Sequence, residues 1–441
     1  MPKSSLPQFK VAVIVFLNFH LLYMVDVAAY TPTLRYSTGD GMPIIQDSNL
    51  KVEEVVGGLE LPTSMAFLGQ DDILVLEKDR GTVLRIINGQ TMNEPIIDVN
   101  VATEVERCMC GIALFRTKNN TANVFLYYTE AESTDGGQAI GNRVYRYEIS
   151  NGSLVKEQLI LDLPAYPGPR HNGGAIKLGP DNSSLYVPIG DVDGSFNPSG
   201  LFVRTSTQNY VNASLVDGRS GILVVDLDGK PIDGRGILGD NYPLVFYFAY
   251  GIRNSFGIDF DPLTGNLWDT ENGPAYADEI NLVKPGFNSG YVPVHGLWAH
   301  GVDPRSNVSG WKLFTNTTLG LVGFDGRGNY SFPEFTWIDS VGPTAIEFFH
   351  SKKLGTPYEN DLFVSDVHKG RIYHFQLSRD RTELILSSPL EDKIANTTSE
   401  LKNVIFAEGF GGITDLEVGP DGNLYIVSIG QGKIFRILPK S

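Results

Sequence analysis

Thr414-Asp415-Leu416, then Asn423-Leu424-Tyr425-Ile426, then Ile434-Phe435-Arg436-Ile437: an apolar segment, a Gly-Pro-Asp-Gly turn at 419–422, a strand with an apolar triplet, and a basic strand. The order recurs upstream. Thr344-Ala345-Ile346 leads to Asp361-Leu362-Phe363-Val364 and Ile372-Tyr373-His374-Phe375, and Phe256-Gly257-Ile258 leads through Asn266-Leu267-Trp268 to Glu279-Ile280-Asn281-Leu282. Gly174-Ala175-Ile176 leads through Leu185-Tyr186-Val187 to Ile222-Leu223-Val224-Val225. Two further copies start at Gly111-Ile112-Ala113-Leu114 and Ser64-Met65-Ala66-Phe67. Units of this size, made of short strands rich in β-branched and aromatic residues, bury their faces only against neighbouring units. No capped helical period follows the N-terminal segment. The copies predict an all-β, six-bladed β-propeller over residues 51–441, with Val52 to Val56 as a spare strand able to pair with the last blade. A β-sandwich with a second β domain is the alternative, and it accounts less well for a repeat that spans nearly the whole chain.

Composition agrees with a large core. Hydrophobic residues make up 42% of 441 residues, and 48 Gly and 25 Pro suit many turns. The formal net charge of -16 has the wrong sign for gripping phosphate backbones, which argues against nucleic acid as a partner. Residues 1–29 read as a signal peptide or N-terminal anchor: Lys3 and Lys10 precede an apolar run from Val11 to Val25, then Val27-Ala28-Ala29 offers small residues for cleavage. Residues 30–50 form an extension. The expected location is secreted or on the outer face of the cell membrane, with a tether through the N-terminus if the segment is retained. Eight Asn-x-Ser/Thr sequons, at Asn119, Asn151, Asn182, Asn212, Asn307, Asn316, Asn329 and Asn396, suit a glycoprotein. Cys108 and Cys110, two apart in an apolar strand, are expected to be buried thiols poorly placed to bond each other.

Polar residues that punctuate the repeat carry the chemistry. In Pro169-Arg170-His171-Asn172-Gly173-Gly174 a His stands before an inner strand, and Asp191 ends the next. An imidazole with a carboxylate to hold its tautomer is a candidate general base. From spacing alone, a pair that merely bridges two loops is the stronger alternative. Arg253 and Asn254 offer a charged fork and an amide. Glu271, followed by Gly273-Pro274, could supply the mix of carboxylate and turn carbonyls that calcium takes, although solvated loop acids fit Glu271, Asp278 and Glu279 equally well. His295 and His300 could bind a metal but read more simply as packing or surface residues.

Taken in order, Arg170-His171-Asn172-Gly173-Gly174, Leu178-Gly179-Pro180-Asp181, Ile189-Gly190-Asp191, Tyr250-Gly251-Ile252-Arg253-Asn254, Glu271-Asn272-Gly273-Pro274 and Asp278-Glu279-Ile280-Asn281-Leu282 resemble the glucose/sorbosone dehydrogenase family, which includes the soluble quinoprotein glucose and aldose sugar dehydrogenases. Coverage runs from about Leu61 to Ile437. The resemblance implies a six-bladed ring with pyrroloquinoline quinone (PQQ) over its axis. It further implies His171 and Asp191 as catalytic residues, Arg253 and Asn254 at the cofactor, and Glu271 with the carbonyls of Gly273 and Pro274 at a calcium ion. A small-molecule sugar or alcohol would be the substrate, with a separate electron acceptor.

Departures from the family stand at three places. Glu106 or Arg107 replaces an amide in Val105-Glu106-Arg107-Cys108-Met109-Cys110-Gly111, and His368 beside Lys369 stands where the family has Lys. Gly412-Ile413-Thr414-Asp415 replaces an Arg-Ile-Arg-Asp whose arginines pair with cofactor carboxylates. Losing one such contact commonly costs ~2–5 kcal/mol. Glu106, His368, Lys369 and Thr414 are therefore the positions where the cofactor contacts would differ. The alternative is a non-catalytic carbohydrate- or protein-binding propeller of the same ancestry.

Overall fold

Ser184–Ile189 and Tyr276–Val283 are buried at every residue. Such strands pack on both faces, so their side chains sort by alternation toward two different neighbours. Leu185, Val187 and Ile189 face a cluster with Phe125, Tyr127 and Val144, whereas Tyr186 joins Ile258, Leu267 and Val283. The computed structural model describes residues 36–39, 41–116, 122–193, 209, 216–299, 304–305 and 321–440, and these belong to one folded unit. The predicted signal or anchor segment lies outside them, as do Asn119, Asn212, Asn307, Asn316 and His300. Among the described residues helix is confined to three 3-10 turns, the longest Thr398–Asn403, and no helix is long and apolar enough to cross a membrane.

The sheets take a propeller arrangement. The first sheet begins with Pro62–Gly69, Asp72–Glu77 and Thr82–Ile87, and the second runs from Met109–Arg116 to Ser153–Leu163. The third starts at Lys177–Leu178 and Ser184–Ile189, the fourth at Ser255–Phe260 and Leu267–Glu271, and the fifth at Pro343–Phe348 and Leu362–Asp366. The expectation of six like blades needs correction here, because only these five draw four or more strands from their own stretch of sequence, with Ile394–Ala395 added to the edge of the fourth and Ile44–Ile45 to that of the fifth. The remaining sheet, Ile413–Val418, Leu424–Ser428 and Lys433–Pro439, is a composite that takes its outer strand from the N-terminus. Leu50–Gly57 pairs antiparallel with Lys433–Pro439, with Val52 opposite Ile437. The reason is the open ends of the chain: joining them non-covalently covers the outer edge of Lys433–Pro439 and leaves Leu50–Gly57 as the edge strand. Each inner strand lies against the next sheet in turn, and Ile413–Val418 returns to Pro62–Gly69.

The cysteines also require correction: Cys108 and Cys110 form a disulfide. Their pairing partners show a register irregularity between Met109 and Gly111, and the Cα atoms come within 5.1 Å. A regular strand would hold them roughly 6.6 Å apart at ~3.3 Å per residue. The local bend brings the sulfurs together.

Candidate functional site

A layer of charges sets a common register for the inner strands. Lys177 Nζ lies 2.9 Å from Glu417, 3.2 Å from Glu347 and 3.8 Å from Asp259, each on a different inner strand. Six residues earlier on the third, fourth and last of these strands stand His171, Arg253 and Gly411. Each therefore stands on the N-terminal side of this layer, toward one mouth of the channel.

His171 adopts φ 61°, a left-handed conformation unusual for a non-glycine residue. Its N–H donates to the Glu106 carboxylate at 2.6 Å, and its carbonyl accepts from the Gly190 N–H at 3.1 Å. Thus Glu106 holds the base's backbone. The ring Nδ1 lies 2.5 Å from Asp191 Oδ1, and both side chains are buried. With Nδ1 committed to the carboxylate, Nε2 is the nitrogen left to meet a substrate. Asp191 in turn donates its N–H to the Arg253 carbonyl at 2.9 Å. A Cβ at Gly190 would lie 2.3 Å from the Arg253 carbonyl oxygen and 2.6 Å from that of His171. Only glycine allows the third- and fourth-sheet loops to meet this closely.

Arg253 is half-buried; its Nη1 donates to the Asn272 carbonyl at 2.8 Å. Asn254 Nδ2 donates to Asn272 Oδ1 at 3.1 Å, and Asn254 Oδ1 accepts from the Gly173 N–H at 3.3 Å. The Gly273-Pro274 turn is pinned by Asp278, which accepts N–H groups from Gly273, Val341 and Gly342 at 2.7–2.9 Å. Glu271, two residues before this turn, is buried. Its carboxylate accepts from the Arg253 N–H at 2.6 Å and the Ser289 hydroxyl at 2.5 Å. Burial first, then the charge of Asp269, pushes Glu271 up to about 8, and burial raises Asp269 to about 7. Among the described residues no group of three or more His, Cys, Asp and Glu side chains is arranged to hold a metal. His295 is buried against the rings of Tyr276 and Tyr291.

The other predicted positions do not gather around His171. His368 and Lys369 are exposed: His368 Nδ1 lies 3.4 Å from the Ser340 carbonyl, and Lys369 donates its N–H to Asp366. Thr414 is buried, and its hydroxyl donates to the Pro62 carbonyl at 3.0 Å. Arg107 is buried and donates to Glu104 and the Ala165 carbonyl. A cavity of about 1150 Å³ opens at the opposite mouth, around Phe67, Phe115, Lys177 and Glu417, away from the His–Asp pair. Sequence reasoning, which met Ser289 only as a departure from the family's Tyr, missed its bond to Glu271, and it missed the Lys177 layer because the partners there are remote in sequence. The step of six residues to a common Lys/Asp/Glu position was a signal that could have found the layer.

A propeller with a buried His–Asp pair and an Arg–Asn loop at one channel mouth defines the class of protein. The family profile described as Glucose / Sorbosone dehydrogenase matches residues 59–436. This chain belongs to the glucose/sorbosone dehydrogenase family. Quinoprotein glucose dehydrogenase B of Acinetobacter calcoaceticus is 24% identical, with 95% of each chain covered. An aldose sugar dehydrogenase of Escherichia coli is 22% identical over 89% of this chain and 94% of its own. Among solved structures, a putative oxidoreductase (glucose dehydrogenase) from Thermus thermophilus superposes with TM-score 0.64 at 27% identity, covering 88% of this chain and all of that one. The PQQ-bound aldose sugar dehydrogenase of Streptomyces coelicolor gives TM-score 0.61 at 20% identity, covering 89% and 99%.

Proposed function

We propose that this protein oxidises an aldose sugar or related alcohol with PQQ and calcium as cofactors, and that the composite sheet counts as the sixth blade of its ring. The observation that carries the reading is the His171 Nδ1–Asp191 contact at 2.5 Å, tied through the Asp191 N–H to the Arg253 loop. The family and the names of its relatives carry the substrate class.

At the reacting end the residues fit such a quinone: Arg253 and Asn254 would hold it, with the Gly273 and Pro274 carbonyls toward calcium. When bound, the quinone supplies the hydride acceptor and calcium polarises it. His171 Nε2 takes the proton of the substrate's C1 hydroxyl as that carbon gives up hydride. Asp191 keeps the Nδ1–H tautomer and stabilises the imidazolium that forms. Glu106 fixes the His171 backbone, and Asp278 fixes the turn that presents the carbonyls. At the anchoring end Gly411, Gly412 and Thr414 offer no cation for the quinone's carboxylates. That difference favours a second reading, a sugar- or protein-binding propeller without redox chemistry. The disulfide and the exposed sequons at Asn151, Asn182, Asn329 and Asn396 support export.

Titration of purified protein with PQQ and calcium tests the proposal, following quinone absorbance and sugar-dependent dye reduction. Saturable binding with turnover is expected; no binding at micromolar quinone leaves the second reading.

A further inference from the structure

We infer that the N-terminal segment Tyr36–Gly39 is a strap seated over the anchoring end of the site, which a bound quinone must displace. The inference rests on the PQQ reading above. Ser37 donates its N–H to the Val367 carbonyl at 3.1 Å, and its own carbonyl accepts from the Gly412 N–H at 2.6 Å. The segment therefore bridges the loop after the second strand of the fifth sheet and the loop before the inner strand of the composite sheet. Those loops hold His368 and Lys369, and Thr414 lies just inside the strand that follows the second.

The slot is shaped for backbone. A Cβ at Gly430 would lie 1.9 Å from the Ser37 carbonyl oxygen, and one at Gly412 would lie 2.7 Å from Tyr36 Cβ. On the strap side, a Cβ at Gly39 would lie 2.6 Å from the Gly411 nitrogen. Glycines stand at the tightest approaches of the two, so glycine at Gly412 and the seated strap are parts of one arrangement. Gly411 stands six residues before Glu417, as His171 stands before Lys177 and Arg253 before Asp259, and the Lys177 layer holds these strands in register. The strap thus lies on the N-terminal side of the layer, as His171 and Arg253 do, against the loop where the family resemblance would put cations for the cofactor's carboxylates. Only two backbone hydrogen bonds tie Ser37 to these loops among the described residues, and Thr38 between the contacts is exposed. Such a segment is displaced by local opening without unfolding the ring. The predicted cleavage point at Val27-Ala28-Ala29 precedes it, so processing there leaves the strap in the chain.

The test compares the full chain with Ser37→Pro, which removes the N–H that binds Val367, and with Gly39→Val, which clashes with Gly411. Exposed Thr38→Ala is the control. Each is titrated with PQQ in the presence of calcium by quinone absorbance, and hydrogen exchange of the Gly412 amide reports whether the strap is seated. A strap seated nine parts in ten lowers apparent affinity about tenfold. The expected result is faster Gly412 exchange and about tenfold tighter quinone binding in both strap variants, with Thr38→Ala unchanged. Equal or weaker binding in variants whose Gly412 exchange has quickened overturns the strap while leaving the PQQ reading intact. Absence of quinone binding in all four proteins overturns both.

Discussion

His171 holds a backbone conformation that costs a non-glycine residue ~1–3 kcal/mol, and it does so beside the groups that would react. The Glu106 carboxylate and the Gly190 amide hold that conformation from either side. Replacing His171 by Gln is expected to lower kcat by ~10²–10⁴ while quinone affinity stays within about twofold. Steady-state kinetics beside a binding titration separates the two, and an equal loss in affinity would make His171 a binding residue. Asp191→Asn should lower kcat comparably, because an amide can hold the ring in the opposite tautomer. Glu106→Gln keeps an acceptor for the His171 N–H and should cost little. Glu106→Ala leaves that half-buried donor unmet and should reduce kcat without moving the pH profile.

Strands here are stabilised from both faces, and the composite sheet has the most to lose, since its outer strand comes from the far end of the chain. Leu50 opens that strand and is buried with Phe435 and Ile437. Leu50→Ala is expected to cost ~2–5 kcal/mol in chemical denaturation. Ile44→Ala, at a position 65% exposed, should stay within ~0.5 kcal/mol. Equal effects at the two positions would mean that Leu50–Gly57 does not close the fold. The fourth sheet makes a different point. Asp269 stands opposite Asn281 and Glu271 opposite Glu279 across one strand pair. The carboxylates therefore share a buried face, and burial raises all three acids.

Across the whole molecule, the channel gathers Lys177, Asp259, Glu347 and Glu417 with Asp415 one turn of the pleat above. Burial is the main cause that raises Asp259 and Glu347, and it pushes Asp415 to about 7 from an ordinary 3.8. A carboxyl raised on folding binds more protons folded than unfolded. Its contribution is fully present below the unfolded value and is lost as pH rises through the folded one. Thermal stability should accordingly fall between about pH 4 and pH 7 on account of Asp415. Asp415→Asn, which can still accept from Ser64 and Met65, should flatten that fall. Melting curves over this range decide it, and an unchanged slope in the variant would remove Asp415 from the account. On the outside, Asn151, Asn182, Asn329 and Asn396 are exposed. Protein secreted from a glycosylating host is expected to lose mass on endoglycosidase treatment, and mass spectrometry that finds all four bare would refute this.

Local patterns in the chain were enough to reveal the repeated strands, the spare strand near Val52 and the His171–Asp191 pair, because each depends on residues close in sequence or on a period that recurs. Apolar alternation decides which residues a strand buries, and a Gly-rich turn before an inner strand decides where a side chain can emerge. The bend that joins Cys108 to Cys110, the engagement of the Glu271 carboxylate by Arg253 and Ser289, the Thr414 bond to Pro62 and the strap over Gly411 and Gly412 were decided only by tertiary structure. The Thr414 bond and the strap join groups far apart in the chain, such as Ser37 and Gly412, whose distance is set by ring closure and by close packing between sheets.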